Sequence, residues 1–384
     1  MDKYEGRDHL QYACPGTEYN GYADGVYVAE HPLGPFILAK NNPYSYHPGG
    51  FMPGAGHGST MRDLQQNLWH TATMRISVNH QFERRVGLWP AGFDSDGELF
   101  CNQNYGDWPI AVEDGKMDPW KEPEWFLLNY AKPAKASSFV KGKEPEKAFD
   151  ENAKTWWRAA DSESGQWLET DLGTVMDVRA IQINFADDAL PIASPGKIQG
   201  SETQPRYIEE RELVTRWKLE GSLDGAEYFM IEDKSKVDTD LPHDLVVREE
   251  GLQVRYLRLT IVEIPYHVEP CISGFRVFGK GAGDKPVSPK YHAVKSEDGL
   301  DLLVSIGETA DAIGYNILWG HEERKLYHSY QIYRNPESVQ KAVEQQIEKR
   351  IGALVKEQEC FVRVDSYNEN GITHGTVKKV LERK

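Results

Sequence analysis

A histidine with glycine on either side, in Gly54-Ala55-Gly56-His57-Gly58-Ser59, constrains this chain more than any other stretch. Glycine has no Cβ, so the backbone can turn sharply here and approach a neighbour that a larger residue would hold away. The imidazole between the glycines is then placed to project into a crowded polar cavity. Downstream, Trp69-His70-Thr71-Ala72-Thr73-Met74-Arg75 and Arg84-Arg85-Val86-Gly87-Leu88-Trp89-Pro90-Ala91-Gly92-Phe93 alternate apolar and polar residues. That period of two marks half-buried strands, so the first stretch of the chain is expected to be β-sheet.

The same pattern returns in two later blocks. Pro119-Trp120-Lys121-Glu122-Pro123 ends the first strand-rich region and reads as a linker. In the second block, Trp167 to Leu172 and Val178 to Phe185 alternate as two strands, and Ser222-Leu223-Asp224-Gly225 is a hairpin signal, because Asp-Gly accepts positive φ. Val254 to Ile261 and Gly274 to Gly279 close that block, which reads as a sandwich. A stretch from Ala189 to Arg211, rich in Pro, Ser, Gly and Gln, interrupts two core strands and is expected to loop out at one rim. Behind Gly281-Ala282-Gly283-Asp284-Lys285-Pro286, a third block carries Ala312 to Gly320, Tyr330 to Tyr333 and Phe361 to Gly371, the last containing an Asn-Gly turn.

Composition narrows the partners. The 384 residues carry a formal net charge of -16, with no cluster of Lys and Arg of the kind that recruits a phosphate backbone, so nucleic acid and anionic membrane are excluded as partners. No apolar run approaches the roughly 20 residues of a membrane span, and Met1-Asp2-Lys3-Tyr4-Glu5 does not read as a signal peptide. Cys14, Cys101, Cys271 and Cys360 lie far apart without metal-type spacing and read as separate buried thiols.

The Gly54 to Ser59 segment and the strands after it resemble the last blade of the five-bladed β-propeller of glycoside hydrolase family 43. Leu10-Gln11-Tyr12-Ala13, Gly25 to Ala29 and Pro32-Leu33-Gly34-Pro35-Phe36 resemble the outer strands of the blade before it. Lys147-Ala148-Phe149-Asp150, Thr155-Trp156-Trp157-Arg158-Ala159, Gln166 to Gly173 and Arg255 to Leu259 resemble a discoidin, or coagulation factor 5/8 type C, domain. That jelly roll is shared with carbohydrate-binding module family 32. The third block is similar to a fibronectin type III domain, with Cys360 where that fold places its corner tyrosine. The expected architecture is all-β: a partial propeller over residues 1–120, a linker over 121–131, a discoidin-like sandwich over 132–281 and a fibronectin-like sandwich over 287–384. About 120 residues supply two to three blades, so a five-bladed wheel would need missing blades or a partner chain.

These resemblances imply a carbohydrate function. Parents of this kind hydrolyse arabinofuranosyl, xylosyl or related bonds with inversion, using an acid and a base on facing carboxyls. The acid position falls just upstream of Met1, so all three family carboxylates are expected to lie off the chain, which alone is expected to be inactive. The alternatives are a stand-alone glycan-binding protein and an architectural chain completing another polypeptide's propeller. A bacterial parent would be periplasmic or extracellular. Glu18 is a candidate for sugar hydroxyls at the mouth of the cavity or a solvated loop acid, while Asp24 reads as a turn residue. His57 is implied to face the propeller channel and help bind calcium, or else to be structural. His70 and His80 read as structural, and Arg75 is a candidate substrate contact. Asp150, Asn152 and Thr155 resemble the calcium loop of family 32 modules, although Ser273-Gly274-Phe275 stands where that family adds a glutamate, and a turn role for Asp150 stays open. Trp156 and Trp157 alternate across the pleat, so one is expected in the core and the other at the rim. His243 is a further rim candidate. The load of 19 Tyr and 10 Trp suits apolar sugar faces as well as β cores.

Overall fold

A computed structural model of the chain describes residues 1–16, 19–75, 84–112, 114–188, 190, 212–342 and 345–381. The fold is all-β, and among the described residues the helical elements are one short α-helix, Pro336–Gln340, and the 3-10 turns Pro145–Ala148 and Pro265–His267. Among the described residues, no helix is long and apolar enough to cross a membrane. The chain divides into two compact units. One combines residues 1–75, 84–123 and 284–384, and the other contains residues 124–283.

In the first unit, strands Gly56–Arg62, Leu68–Arg75, Arg84–Phe93 and Leu99–Cys101 form a four-stranded antiparallel meander in chain order. Asp2–Tyr4, Arg7–Cys14, Ala23–Ala29 and Ile37–Leu38 form a second sheet, with Ser45–Tyr46 also paired to Ala23–Ala29. Val26, Tyr44, Ala55, Met74, Trp89 and Leu99 pack between them. The period-two pattern is realised in Arg84–Phe93, where Trp89 points inward while Val86 and Leu88 are exposed. Gly87 makes room for the indole, since a Cβ there would lie 2.1 Å from the Trp89 ring.

The C-terminal segment folds as two facing sheets. Lys290–Lys295, Leu302–Gly307 and Gln346–Ile351 form one, while His328–Tyr333, Gly314–Gly320, Phe361–Asn368 and Gly371–Thr373 form the other, with Lys378–Lys379 added on Phe361–Asn368. Alternating apolar residues on each strand, among them Val304, Ile306, Tyr315, Ile317, Val362 and Val364, fill the space between. Ala23 and Tyr46 join this same core. The Trp108 indole N–H donates to the Tyr333 hydroxyl at 3.1 Å, and Lys325 lies within 3.3 Å of Asp94, Asp96 and Glu98. The segments that the sequence separates at residues 120 and 287 thus bury one continuous interior. Cys360 sits in that interior as a free thiol, and Tyr367, which the sequence pattern did not single out, donates its hydroxyl to the Ile332 carbonyl at 2.8 Å.

The second unit is an eight-stranded sheet ordered Phe126–Leu127, Cys271–Lys280, Trp167–Phe185, His243–Glu263, Arg216–Ser222 and Tyr228–Asp233, with Ala134–Ala136 and Trp157–Arg158 at its sides. The two strands expected around Trp167 and Val178 are one strand of 19 residues, with a register shift between Asp171 and Met176. Gly173 at φ 86 lies within that shift. A bulge raises local twist, so a long strand can bend around a core that neither half would enclose alone. Trp157, Leu168, Ile181, Trp217, Leu259 and Phe275 lie at the centre of that core. The hairpin signal holds: Gly225 has φ 80, and Asp224 Oδ1 accepts from the amides of Ala226 and Glu227. Arg276 and Glu151 form a buried bidentate pair, Nε to Oε1 at 2.9 Å and Nη2 to Oε2 at 2.8 Å, and Gln182 Oε1 accepts from Nη1 at 2.7 Å.

Candidate functional site

In the second unit, the short strand Trp157–Arg158 decides which tryptophan serves which side. Trp157 is fully buried, and its indole N–H donates to the Ser138 carbonyl at 2.9 Å. Trp156 is only partly buried. Its indole N–H donates to Asp188 Oδ2 at 2.9 Å, and the Lys143 ammonium lies 3.0 Å from the ring centroid. Arg158, two residues on and hence on the same face, places Nη1 3.4 Å from Asp188 Oδ2 and Nη2 3.1 Å from Glu269 Oε2. Its Nε has no partner among the described residues. Burial disfavours the Arg158 charge, and Asp188 with Glu269 outweighs it, raising the guanidinium's pKa. Lys143 shifts downward, chiefly through burial. The arrangement is an aromatic ring with the Lys143 ammonium over one face and charged donors and acceptors at its edge that still reach solvent, a combination suited to apolar C–H faces and hydroxyl groups together.

The residues expected to hold calcium fall directly before this rim. Thr155 Oγ1 lies 2.8 and 2.7 Å from the two Asp150 carboxylate oxygens, 3.0 Å from the Asn152 carbonyl and 3.4 Å from the Lys147 carbonyl. The Asn152 side chain is turned to the Lys154 amide, so its carbonyl, not its amide oxygen, joins the cluster. Burial pushes the Asp150 carboxyl up to about 6, against the opposing effect of the Thr155 hydroxyl.

The first unit accounts for the glycine-flanked histidine differently from a side-chain role. The backbone amides of His57 and Gly58 donate to Asp24 Oδ1 and Oδ2, each at 2.8 Å. The strand bulges between Gly56 and Ser59, and His57 has φ 58. A Cβ on Gly58 would lie 2.5 Å from Asp24 Oδ2 and 2.4 Å from the Thr71 carbonyl oxygen, so only glycine permits the approach. The His57 imidazole is exposed. Asp24, expected as a turn residue, is buried within a strand, 3.3 Å from His70 Nε2. His70 Nδ1 in turn lies 2.8 Å from the Tyr44 hydroxyl, which is 2.6 Å from Thr60 Oγ1. Arg75 ends its strand opposite Arg84. His243 is exposed at the start of its long strand. Glu18 and His80 lie outside the described residues.

Lys143, Asp188 and Glu269 were not named from sequence. Arg158 carried a usable signal, because it stands two residues after Trp156. Asp188 and Glu269 are 30 and 111 residues away from Arg158, and only pairing of Trp157–Arg158 with Cys271–Lys280 brings the last of them near.

Comparison with known proteins bears on this unit. The F5/8 type C domain model matches residues 133–194. No curated protein matches the sequence. Among solved structures, the chain is similar to a glycoside hydrolase at 18% identity and TM-score 0.37, covering 72% of this chain and 58% of that one. It is similar to chitosan-binding module 2 of a chitosanase/glucanase from Paenibacillus sp. IK-5, solved with chitotriose, at 18% identity and TM-score 0.31, covering 40% of this chain and 99% of the module. It is also similar to the family 32 carbohydrate-binding module of C. perfringens NanJ, solved with galactose, at 15% identity and TM-score 0.30, covering 40% and 99%. The chain therefore spans little more than half the length of the glycoside hydrolase. With the eight-stranded sheet and the matched residues together, the chain carries a discoidin-like F5/8 type C domain.

Proposed function

We propose that this chain is the glycan-binding part of a glycoside hydrolase, with the F5/8 type C domain as its working module. The observation that carries the reading is the convergence of Trp156, Arg158, Asp188 and Glu269 on one solvent-reaching rim. A pyranose or furanose ring stacks on Trp156 while the charged groups take its hydroxyls. The test is calorimetric titration of the full chain with a panel of neutral oligosaccharides. Trp156→Ala is expected to weaken binding at least tenfold with the melting temperature unchanged, because the ring is not part of the core. Binding to nothing in a broad panel overturns the reading.

Calcium is proposed at the loop before the rim. The Asp150 carboxylate and the Lys147 and Asn152 carbonyls converge on Thr155 Oγ1, and such a cluster of hard oxygen donors is the chemistry this cation prefers. Calcium at 100 times its Kd is expected to stabilise the chain by about 2.7 kcal/mol relative to chelator. Asp150→Asn should remove that response in differential scanning calorimetry. His57 by itself does not fit the ion, since a lone imidazole offers it no oxygen.

Residues 1–120 are read as the closing blades of a family 43 propeller, and residues 287–384 as a fibronectin type III-like sandwich. The four-stranded meander and the three-plus-five arrangement of the C-terminal strands support this reading. The exposed apolar Val86 and Leu88 suit a neighbouring blade or partner chain. Hydrolysis by this chain alone is not expected, since Asp24, the buried carboxylate beside His57, is committed to two backbone amides and His70. Turnover of aryl arabinofuranosides or xylosides above a buffer control by the purified chain would contradict this.

A further inference from the structure

The first unit holds a cleft of about 470 Å³, within the range of roughly 300–1,000 Å³ typical of small-molecule sites. Its floor is the outer face of paired strands Gly314–Gly320 and Phe361–Asn368, where Asn316 stands opposite Asp365. Trp120 and Tyr327 form an aromatic wall, with ring centroids 5.3 Å apart and planes 20° from parallel. Three of the charged groups along the cleft are paired, while Glu323 and Arg324 are exposed at its edge. Asp365 takes both Arg363 Nε and Nη2 at 2.8 Å, and His374 bridges it to Glu122, with both contacts at 3.0 Å. The Asp365 and Glu122 contacts raise His374 to about 9, so at neutral pH the bridge is a cation between two anions.

Three neutral groups at the cleft are not satisfied. Asn316 is fully buried and lines the cleft, yet neither its Oδ1 nor its Nδ2 has a partner among the described residues. The Tyr105 hydroxyl and Asn104 Oδ1, also at the cleft, are buried and unpaired in the same sense. Unpaired buried polar groups cost stability unless something supplies the missing hydrogen bonds. An amide that both donates and accepts, a phenol and an aromatic wall, beside an Arg363–Asp365–His374–Glu122 network whose charges offset one another, match an uncharged polyhydroxylated ring rather than an ion.

We propose that this cleft is a second sugar-binding site, separate from the rim around Trp156, that takes one or two neutral saccharide units through Asn316, Asn104 and Tyr105, with Trp120 and Tyr327 beside the ring. It goes beyond the F5/8 type C reading and does not depend on Trp156. The test uses the full chain with Trp156→Ala, so that the rim is disabled, titrated calorimetrically with xylotriose, galactose and chitotriose. Residual saturable binding to at least one probe is expected. Adding Asn316→Leu, which keeps the volume and removes two unpaired atoms, should weaken that binding at least tenfold while the melting temperature holds or rises. Trp120→Ala, on the open side of the cleft, is expected to weaken it likewise and guards against an unfolded Asn316 variant. The proposal is overturned if Trp156→Ala abolishes all binding, or if residual binding survives Asn316→Leu and Trp120→Ala unchanged. If the rim reading alone is wrong, Trp156→Ala leaves the wild-type titration unaltered while Asn316→Leu reduces it.

Discussion

Trp157→Ala is expected to destabilise the 124–283 unit by about 3–5 kcal/mol, the range for truncating a buried Trp or Phe to alanine. The ring is fully buried at the centre of the core formed with Leu168, Trp217 and Phe275, so its removal leaves a cavity that flanking strands cannot close. It also strands the Ser138 carbonyl, which now accepts the indole N–H. Hydrogen exchange resolved by peptide reads this locally: protection of the slowest amides of residues 124–283 should fall by roughly two to four orders of magnitude. The adjacent Trp156→Ala should leave those amides as they are. Equal effects from the two substitutions would contradict the assignment of one ring to the interior and the other to the rim.

Arg276→Met is expected to cost a similar amount, about 3–5 kcal/mol, for a different reason. The substitution leaves Glu151 buried with an uncompensated charge, and breaking one side of a buried pair costs far more than the pair contributes in net terms. Arg276 and Glu151 are both nearly inaccessible, and Gln182 Oε1 takes the remaining Arg276 Nη1 donor. The double variant Glu151→Gln with Arg276→Met removes the orphaned charge and should recover at least about 1 kcal/mol of the loss, a coupling that a double-mutant cycle measures directly. Additive effects would mean that the two groups do not act as a pair.

Much of the all-β character was legible, because alternation such as Leu88-Trp89 and the turn residues Asp224-Gly225 and Asn370-Gly371 are local signals. The division of Trp156 from Trp157 was half legible: period two separated them, but only the pairing of Trp157–Arg158 with Cys271–Lys280 says which one is inside. The glycines around His57 were read as a device for presenting an imidazole. At Gly58 the physical cause is instead the approach of two backbone amides to the Asp24 carboxylate, at Gly56 the room taken by the Tyr22 ring, and nothing near residue 57 in the sequence announces a partner 33 residues earlier. Asp188, Glu269 and the unpaired amide of Asn316 escaped notice for the same reason, since their meaning depends on neighbours supplied by distant strands.

The first unit is assembled from segments ending at residue 123 and resuming at residue 284. On the ribosome, at about 5–20 residues per second, roughly ten to thirty seconds separate the emergence of its two parts. Through that interval Ala23, Tyr46, Tyr105 and Trp108 wait without the strands that cover them, while the intervening domain already has everything it requires to fold. Such a nascent chain presents sticky surface early and covers it late, so holdase chaperones that bind apolar segments should engage residues 1–123 and release them only once residues 284–384 have been made.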